Sequence, residues 1–350
     1  MLPASLALLF TGGTLSLLMA LAIAITAEPA LRRQLAGQLA IGFLLTFGAY
    51  LMATSPLLRQ TDAAWHLPLR LFDSPNLALL WLFLLTIYKD HFVPDKRYWL
   101  VAGAYMLLMV LERLIEAGLI GTALLPAPVF LIASLGLITH LVAVIMRGHE
   151  NDLVETRRRS RRVVIVVIIA AALLSVVSTN HQQGPWSEAL SLIASAGLLV
   201  SVLFVFRYWT TIQTSRFLFD RETHEARAHR PLTERQQHQL DALERLMIEA
   251  EAFKVPDLSI KRVARELGIG EHLLRPLINS HLGHRNFPAF LNHYRVSFAT
   301  ERLQDATQRD LQIARIATDA GFHSLSAFNR AFKQATGKTP TAFRRDALSD

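Results

Sequence analysis

Apolar runs of membrane-crossing length follow one another from Leu6 to Trp209, and none occurs after Trp209. Crossing a hydrocarbon core takes about 20 mostly apolar helical residues. Seven stretches approach that length: Leu6–Ala27, Leu35–Thr54, Pro75–Tyr88, Tyr98–Ile120, Leu124–Met146, Val163–Thr179 and Glu188–Trp209. The third is the weakest, because Asp73, Pro75 and Asn76 stand at its start, and a re-entrant third stretch would leave six spans. The run from Leu2 to Ala27 has no basic leader and is too long for the core of a signal peptide, so it reads as a retained span.

The polar positions between these runs carry an orientation signal. The first loop holds Arg32 and Arg33, and the third holds Lys89, Lys96 and Arg97. The fifth holds Arg147 and the arginine cluster from Arg157 to Arg162. The second has Arg59 and Arg70, while the fourth and sixth have no Lys or Arg. Basic residues gather on the cytoplasmic side. The N-terminus is therefore expected outside, odd loops inside, and everything after Trp209 in the cytoplasm. An odd number of spans agrees with seven. The Arg157–Arg162 cluster reads as a topology and headgroup signal. Trp65, Trp186, Tyr98, Trp99, Tyr208 and Trp209 fall near span ends and read as interfacial anchors.

Composition sharpens the contrast. The chain is 350 residues, 52% hydrophobic, with a net charge of +8. That average joins an oily half to a basic half. With no cysteine, disulfides and thiolate metal sites are excluded. No cofactor is expected.

Four polar residues lie inside the spans. Glu112, Arg113 and Glu116 occupy the fourth, with the two glutamates one helical turn apart, and His140 lies in the fifth. Charge near a bilayer centre costs at least about 2.5–3.5 kcal/mol, so such groups usually face the bundle interior or a wet cavity. One reading is a sensor pocket lined by all four. The other is a structural ion pair or glutamates reaching the outer interface, with His140 a hydrogen-bonded core histidine.

After Trp209 the periodicity becomes that of short amphipathic helices. Thr233 and Gln236 form a capping box. Leu240, Leu243, Met247 and Ala250 then recur at helical spacing, and Val255-Pro256 should end that helix. Ser259 should cap a helix carrying Ile260, Val263, Ala264 and Leu267. A turn at Gly268-Ile269-Gly270 leads to a second helix with Leu274, Leu277 and Ile278 inward. That is a helix-turn-helix pattern. A longer helix follows from about Phe287 to Ala306. The pattern then repeats: Asp310 as cap, Ile313, Ile316 and Ala317 inward, a turn at Ala320-Gly321-Phe322, and a helix capped by Ser324. Phe328 and Phe332 face inward on it, while Leu325, Ser326, Asn329, Arg330 and Lys333 face out. Gly337 ends this helix and Thr339-Pro340 starts the last.

The stretch IATDAGFHSLSAFNRAFKQATGKTPTAFR, from Ile316 to Arg344, resembles the signature of the AraC/XylS family of bacterial transcription factors. The resemblance covers about Thr233 to Arg345. It implies two helix-turn-helix units on a central helix, with recognition helices entering successive major grooves about 34 Å apart. By that resemblance the base-reading positions are Leu325, Ser326, Asn329 and Arg330 in the second unit, and Glu271, His272, Arg275 and Pro276 in the first. Ser324 and Lys333 join them as expected DNA contacts. Proline offers no side-chain donor, so the second unit is expected to carry most of the discrimination. From Ser259 to Arg345 there are 14 basic and 6 acidic residues, a balance suited to phosphate.

These readings give an all-α fold: a polytopic transmembrane helix bundle of about seven spans, then a cytosolic all-α double helix-turn-helix domain. The expected divisions are residues 1–209, a connector at 210–232, and the DNA-binding domain at 233–345. The expected role is a membrane-embedded one-component transcription regulator. Its expected partners are double-stranded DNA, the lipid bilayer, a small-molecule or physical signal, and a second copy of itself in a homodimer. The rival is a membrane transporter or sensor protein whose cytosolic helices form a protein-interaction module. No inverted repeats or matching broken spans favour a transporter. Glu112, Arg113 and Glu116 are the one cluster an enzyme could use, so no catalytic activity is expected. A third reading has the bundle only tether the regulator.

Overall fold

The computed structural model of the chain describes residues 4–54, 66–89, 92–121, 126, 128–148, 152–180, 187–218, 232–284 and 286–349. Among these residues the regular structure is helical, with one isolated antiparallel bridge between Asp152 and Asn286. The chain divides into two compact units. The first comprises residues 1–149 and 159–211, and the second residues 150–158 and 212–350. Residues 219–231 of the expected connector lie outside the described residues, as do Trp65 and Trp186.

The first unit is built from α1 (Ala4–Ala27), α2 (Leu35–Thr54), α3 (His66–Asp73), α4 (Asn76–Tyr88), α5 (Lys96–Glu116), α6 (Pro128–Arg147), α7 (Glu155–Asn180) and α8 (Ser187–Leu218). A helix apolar all round has no face for water and must be covered by protein or lipid. Helix α4 is covered by protein: Trp81, Leu82, Phe83, Leu84 and Leu85 are buried, with α2, α5 and α6 packed around them. Among the described residues, five helical stretches are long and apolar enough to cross a membrane: Leu35–Thr54, His66–Tyr88, Lys96–Glu116, Pro128–Arg147 and Leu192–Thr210.

The third stretch begins at His66, well before the expected Pro75. It is broken rather than short, because Ser74 and Pro75 interrupt it between α3 and α4. Two of the expected loop signals and anchors also turn inward. Trp209 is 2% exposed and packs edge-on against Phe83 and Phe206. Arg161 is 1% exposed and donates to the carbonyls of Ile145 and Tyr88 at 3.1 and 2.9 Å. It therefore closes the C-terminal ends of α4 and α6, where a cation meets the negative end of each helix dipole.

The second unit contains α9 (Glu234–Ile248), α10 (Ile260–Glu266), α11 (Glu271–Pro276), α12 (Phe287–Gln304), α13 (Ile313–Asp319), α14 (Leu325–Thr336) and α15 (Pro340–Ala347). The Thr233–Gln236 capping box is present, and Ser259, Ser324 and Thr339 cap their helices. Two expectations fail. Helix α9 ends at Ile248, and a separate 3-10 turn over Ala252–Lys254 precedes Val255. Gln312, not Asp310, is the cap of α13.

Two hydrophobic cores share α12. Its Phe287, Phe290 and Leu291 join Leu243, Met247, Val263 and Ile278, while its Val296, Ala299 and Leu303 join Ile316, Phe328 and Phe332. The halves are also tied at the 252–255 turn. Arg295 of α12 donates to the carbonyls of Phe253 and Val255 at 2.8 and 3.1 Å and lies over the Phe322 ring. His323 pairs with Asp257 at 2.9 Å. Gly321, at φ +84°, sits so close that an added Cβ would lie 2.7 Å from the Lys254 carbonyl oxygen. Gly321→Ala is expected to destabilise this unit by about 2 kcal/mol, from the positive φ and the clash together. Hydrogen exchange over Phe322–Phe332 in the full chain checks it; unchanged protection would refute the close-approach reading.

Candidate nucleic-acid interface

Helix α14 starts at Ser324, whose hydroxyl accepts from the Ala327 amide at 3.2 Å. Phe328 and Phe332 then anchor it. Phe328 meets Phe322 edge to face at 5.2 Å, and Phe332 meets Phe343 of α15 at 5.4 Å, both between ring centroids. Gly337, at φ +76°, ends the helix with the left-handed turn that a side chain would strain. With one stripe buried, the other is presented outward. Ser326, Asn329, Arg330 and Lys333 recur at helical spacing, and all are exposed, as is Leu325. Amide and guanidinium groups match base edges in a major groove, a leucine can meet a thymine methyl, and Lys333 supplies charge for phosphate. The structure thus brings the site residues of the second helix-turn-helix onto one face. Ser324 sits at its edge with its hydroxyl engaged as a cap. Arg344 of the motif turns back and donates to the Arg309 carbonyl at 3.1 Å.

The first helix-turn-helix is arranged differently. Helix α11 runs into a π-helical turn over Leu277–His281, directly after Pro276. Proline lacks an amide proton and crowds the preceding turn, so the ladder widens there. His272, Leu273 and Pro276 are exposed. Arg275 departs from the expectation. Its side chain is 6% exposed and donates to Glu271 at 2.6 Å. It also donates to the backbone carbonyl of Asp152 at 2.8 Å. The resemblance places Arg275 among the base readers, but here it is held inward and is not presented to a groove. Exposed cations on this half include Lys261, Arg262 and Arg265, with Arg262 paired to Glu266 at 3.0 Å. Burial and the neighbouring His293 hold His284 below its ordinary value.

The residues expected in a sensor pocket separate into two places. Arg113 is a hub, within 3.5 Å of Asp73, 3.5 Å of Glu112 and 3.1 Å of Glu116. Arg70 joins it, 2.9 Å from Glu116 and 3.6 Å from Asp73. Asp73 is 3% exposed. His140 has another partner: the Trp81 indole donates to its Nδ1 at 3.1 Å, with the rings edge to face. Arg70 and Asp73 were legible only as a loop charge and a span edge. Their three-residue spacing is the signal that could have joined them on one helical face.

Residues 263–346 match the family model described as Helix-turn-helix domain. No curated protein and no solved structure matches the chain. The match falls on the two units built around α12 and supports the AraC-type pattern seen in the motif residues. The C-terminal part of the chain is thus a DNA-binding helix-turn-helix domain of the AraC type, as found in transcription regulators.

Proposed function

We propose that the chain is a membrane-embedded one-component transcription regulator. In this reading the first unit spans the bacterial inner membrane with the N-terminus outside, and the second unit reads DNA in the cytoplasm, as a homodimer. The carrying observation is the outward stripe of Ser326, Asn329, Arg330 and Lys333 on a helix held by a buried aromatic stripe. Membrane insertion is supported by apolar side chains that face outward along the first-unit helices. Leu100, Leu107, Ile132, Val166, Leu173 and Val200 are each more than 60% exposed, and lipid is the solvent that suits them. The Glu112–Arg113–Glu116 cluster, widened by Arg70 and Asp73, is the place for a signal to act in this reading.

The test is footprinting by the full chain in lipid nanodiscs on DNA upstream of its own reading frame. Protection of two adjacent major-groove faces is expected. Arg330→Ala should weaken binding about 5- to 100-fold and relax preference at one base position, as loss of a bidentate base contact does. A folded chain with no salt-sensitive DNA binding would overturn the reading and leave the second unit as a protein-interaction module.

A further inference from the structure

The short segment before α7 is part of the DNA-reading unit, although the apolar pattern assigns it to a loop of the membrane half. Leu153 is 4% exposed and belongs to the core formed by Leu243, Met247, Phe253, Val263 and Leu274. Asp152 pairs with Asn286 in the isolated antiparallel bridge. Its carbonyl accepts from Arg275 at 2.8 Å. Its carboxylate accepts from the Val154 amide at 3.3 Å and lies 3.4 Å from the Arg157 guanidinium, with both side chains buried. One residue therefore binds in two directions. Its main chain grips the first recognition helix, and its side chain grips the start of α7. That helix then runs without interruption from Glu155 to Asn180.

We propose that residues 152–157 are a latch that withholds Arg275 of the first recognition helix from DNA, and that a shift of α7 releases it. This rests on the DNA-reading function proposed above. While the latch is docked, the Asp152 carbonyl and Glu271 occupy Arg275, the arginine that the first helix-turn-helix has at a base-reading position. On release, Arg275 regains its hydrogen-bond donors for guanine or phosphate. The signal route in this proposal runs through α7, which carries the sixth of the expected spans.

The chain has no cysteine, which gives a clean background for cross-linking. Residues facing each other in an antiparallel bridge lie within disulfide reach. The experiment uses full-length Asp152→Cys/Asn286→Cys in nanodiscs. Its probe is a duplex selected from a random-sequence pool by the wild-type chain. A disulfide should form on mild oxidation. The oxidised chain should bind the duplex at least about tenfold more weakly than the same chain after reduction. A second variant, Leu153→Asp, should undock the latch and bind more tightly than wild type. In that background Arg275→Ala should cost about tenfold, against little change in the wild-type background.

Failure of the disulfide to form would overturn the docked segment. Equal affinity of oxidised and reduced chains, or a Leu153→Asp chain whose affinity and response to Arg275→Ala match wild type, would overturn the latch. A wild-type chain that selects no duplex at any salt refutes the DNA-reading function instead; the cross-linking yield still reports whether the segment docks.

Discussion

Arg295→Ala should reduce DNA protection from two adjacent grooves to one. It should also cost the second unit about 3 kcal/mol or more, since each charge-assisted hydrogen bond lost is worth about 1.5–3 kcal/mol. The reason is where this guanidinium sits. It leaves α12, the helix common to both cores, and binds the carbonyls of Phe253 and Val255 at 2.8 and 3.1 Å while covering Phe322. Burial pushes it below its ordinary value, and Asp257 pulls the other way; a guanidinium keeps its proton in proteins, so it is a cation in an enclosed place. Alanine would leave two carbonyls facing a void beside Gly321. The relation between the two recognition helices should loosen before either core melts. Hydrogen exchange in the full chain separates these effects. Protection should fall over Ala252–Val255 and Gly321–Phe322 and persist at Phe290 and Phe328. Arg295→Lys keeps the charge with a single donor group and should recover part of the loss. Uniform loss of protection across both cores would show that Arg295 supports folding rather than the setting of one helix-turn-helix against the other.

The helix-turn-helix half was legible because its signals are local. A capping Ser324 or Thr339, the αL Gly337, and Phe328 and Phe332 one turn apart each specify structure within a few residues. The outward stripe of α14 followed from knowing its inward one. What stayed hidden is long range. The family pattern makes Arg275 an exposed base reader, and it is held inward by Glu271 one turn before it and by a carbonyl from a segment 123 residues away. Arg161 and Trp209 likewise read as loop charge and interfacial anchor. They are interior, because helix ends from distant parts of the chain converge on the first and aromatic rings on the second. In the third stretch, Asp73 looked like an edge. Its charge is tolerated inside because Arg70 and Arg113 reach it, a compensation with no trace in the hydropathy of the stretch.

That compensation makes a second large effect expected, from Arg113→Met. The cluster holds three carboxylates, Asp73, Glu112 and Glu116, against two guanidiniums, Arg70 and Arg113. Removing Arg113 leaves three acids around one base, with the Asp73 side chain only 1% exposed. Breaking a buried pair from one side costs about 3–5 kcal/mol, because the remaining charge keeps its desolvation penalty. Asp73→Asn removes an acid from an acid-rich cluster and should cost far less. The double variant should then be more stable than Arg113→Met alone, a coupling that only neighbours show. Thermal unfolding in nanodiscs, followed by tryptophan fluorescence, measures all three. Near-equal small losses, under about 1 kcal/mol each, would place the cluster in water as an ordinary surface network. The expected ranking instead makes Arg113 the residue that holds α5 to α3 next to the break at Ser74-Pro75. A ligand that competes for Arg113 would then loosen the point where the third span is already discontinuous.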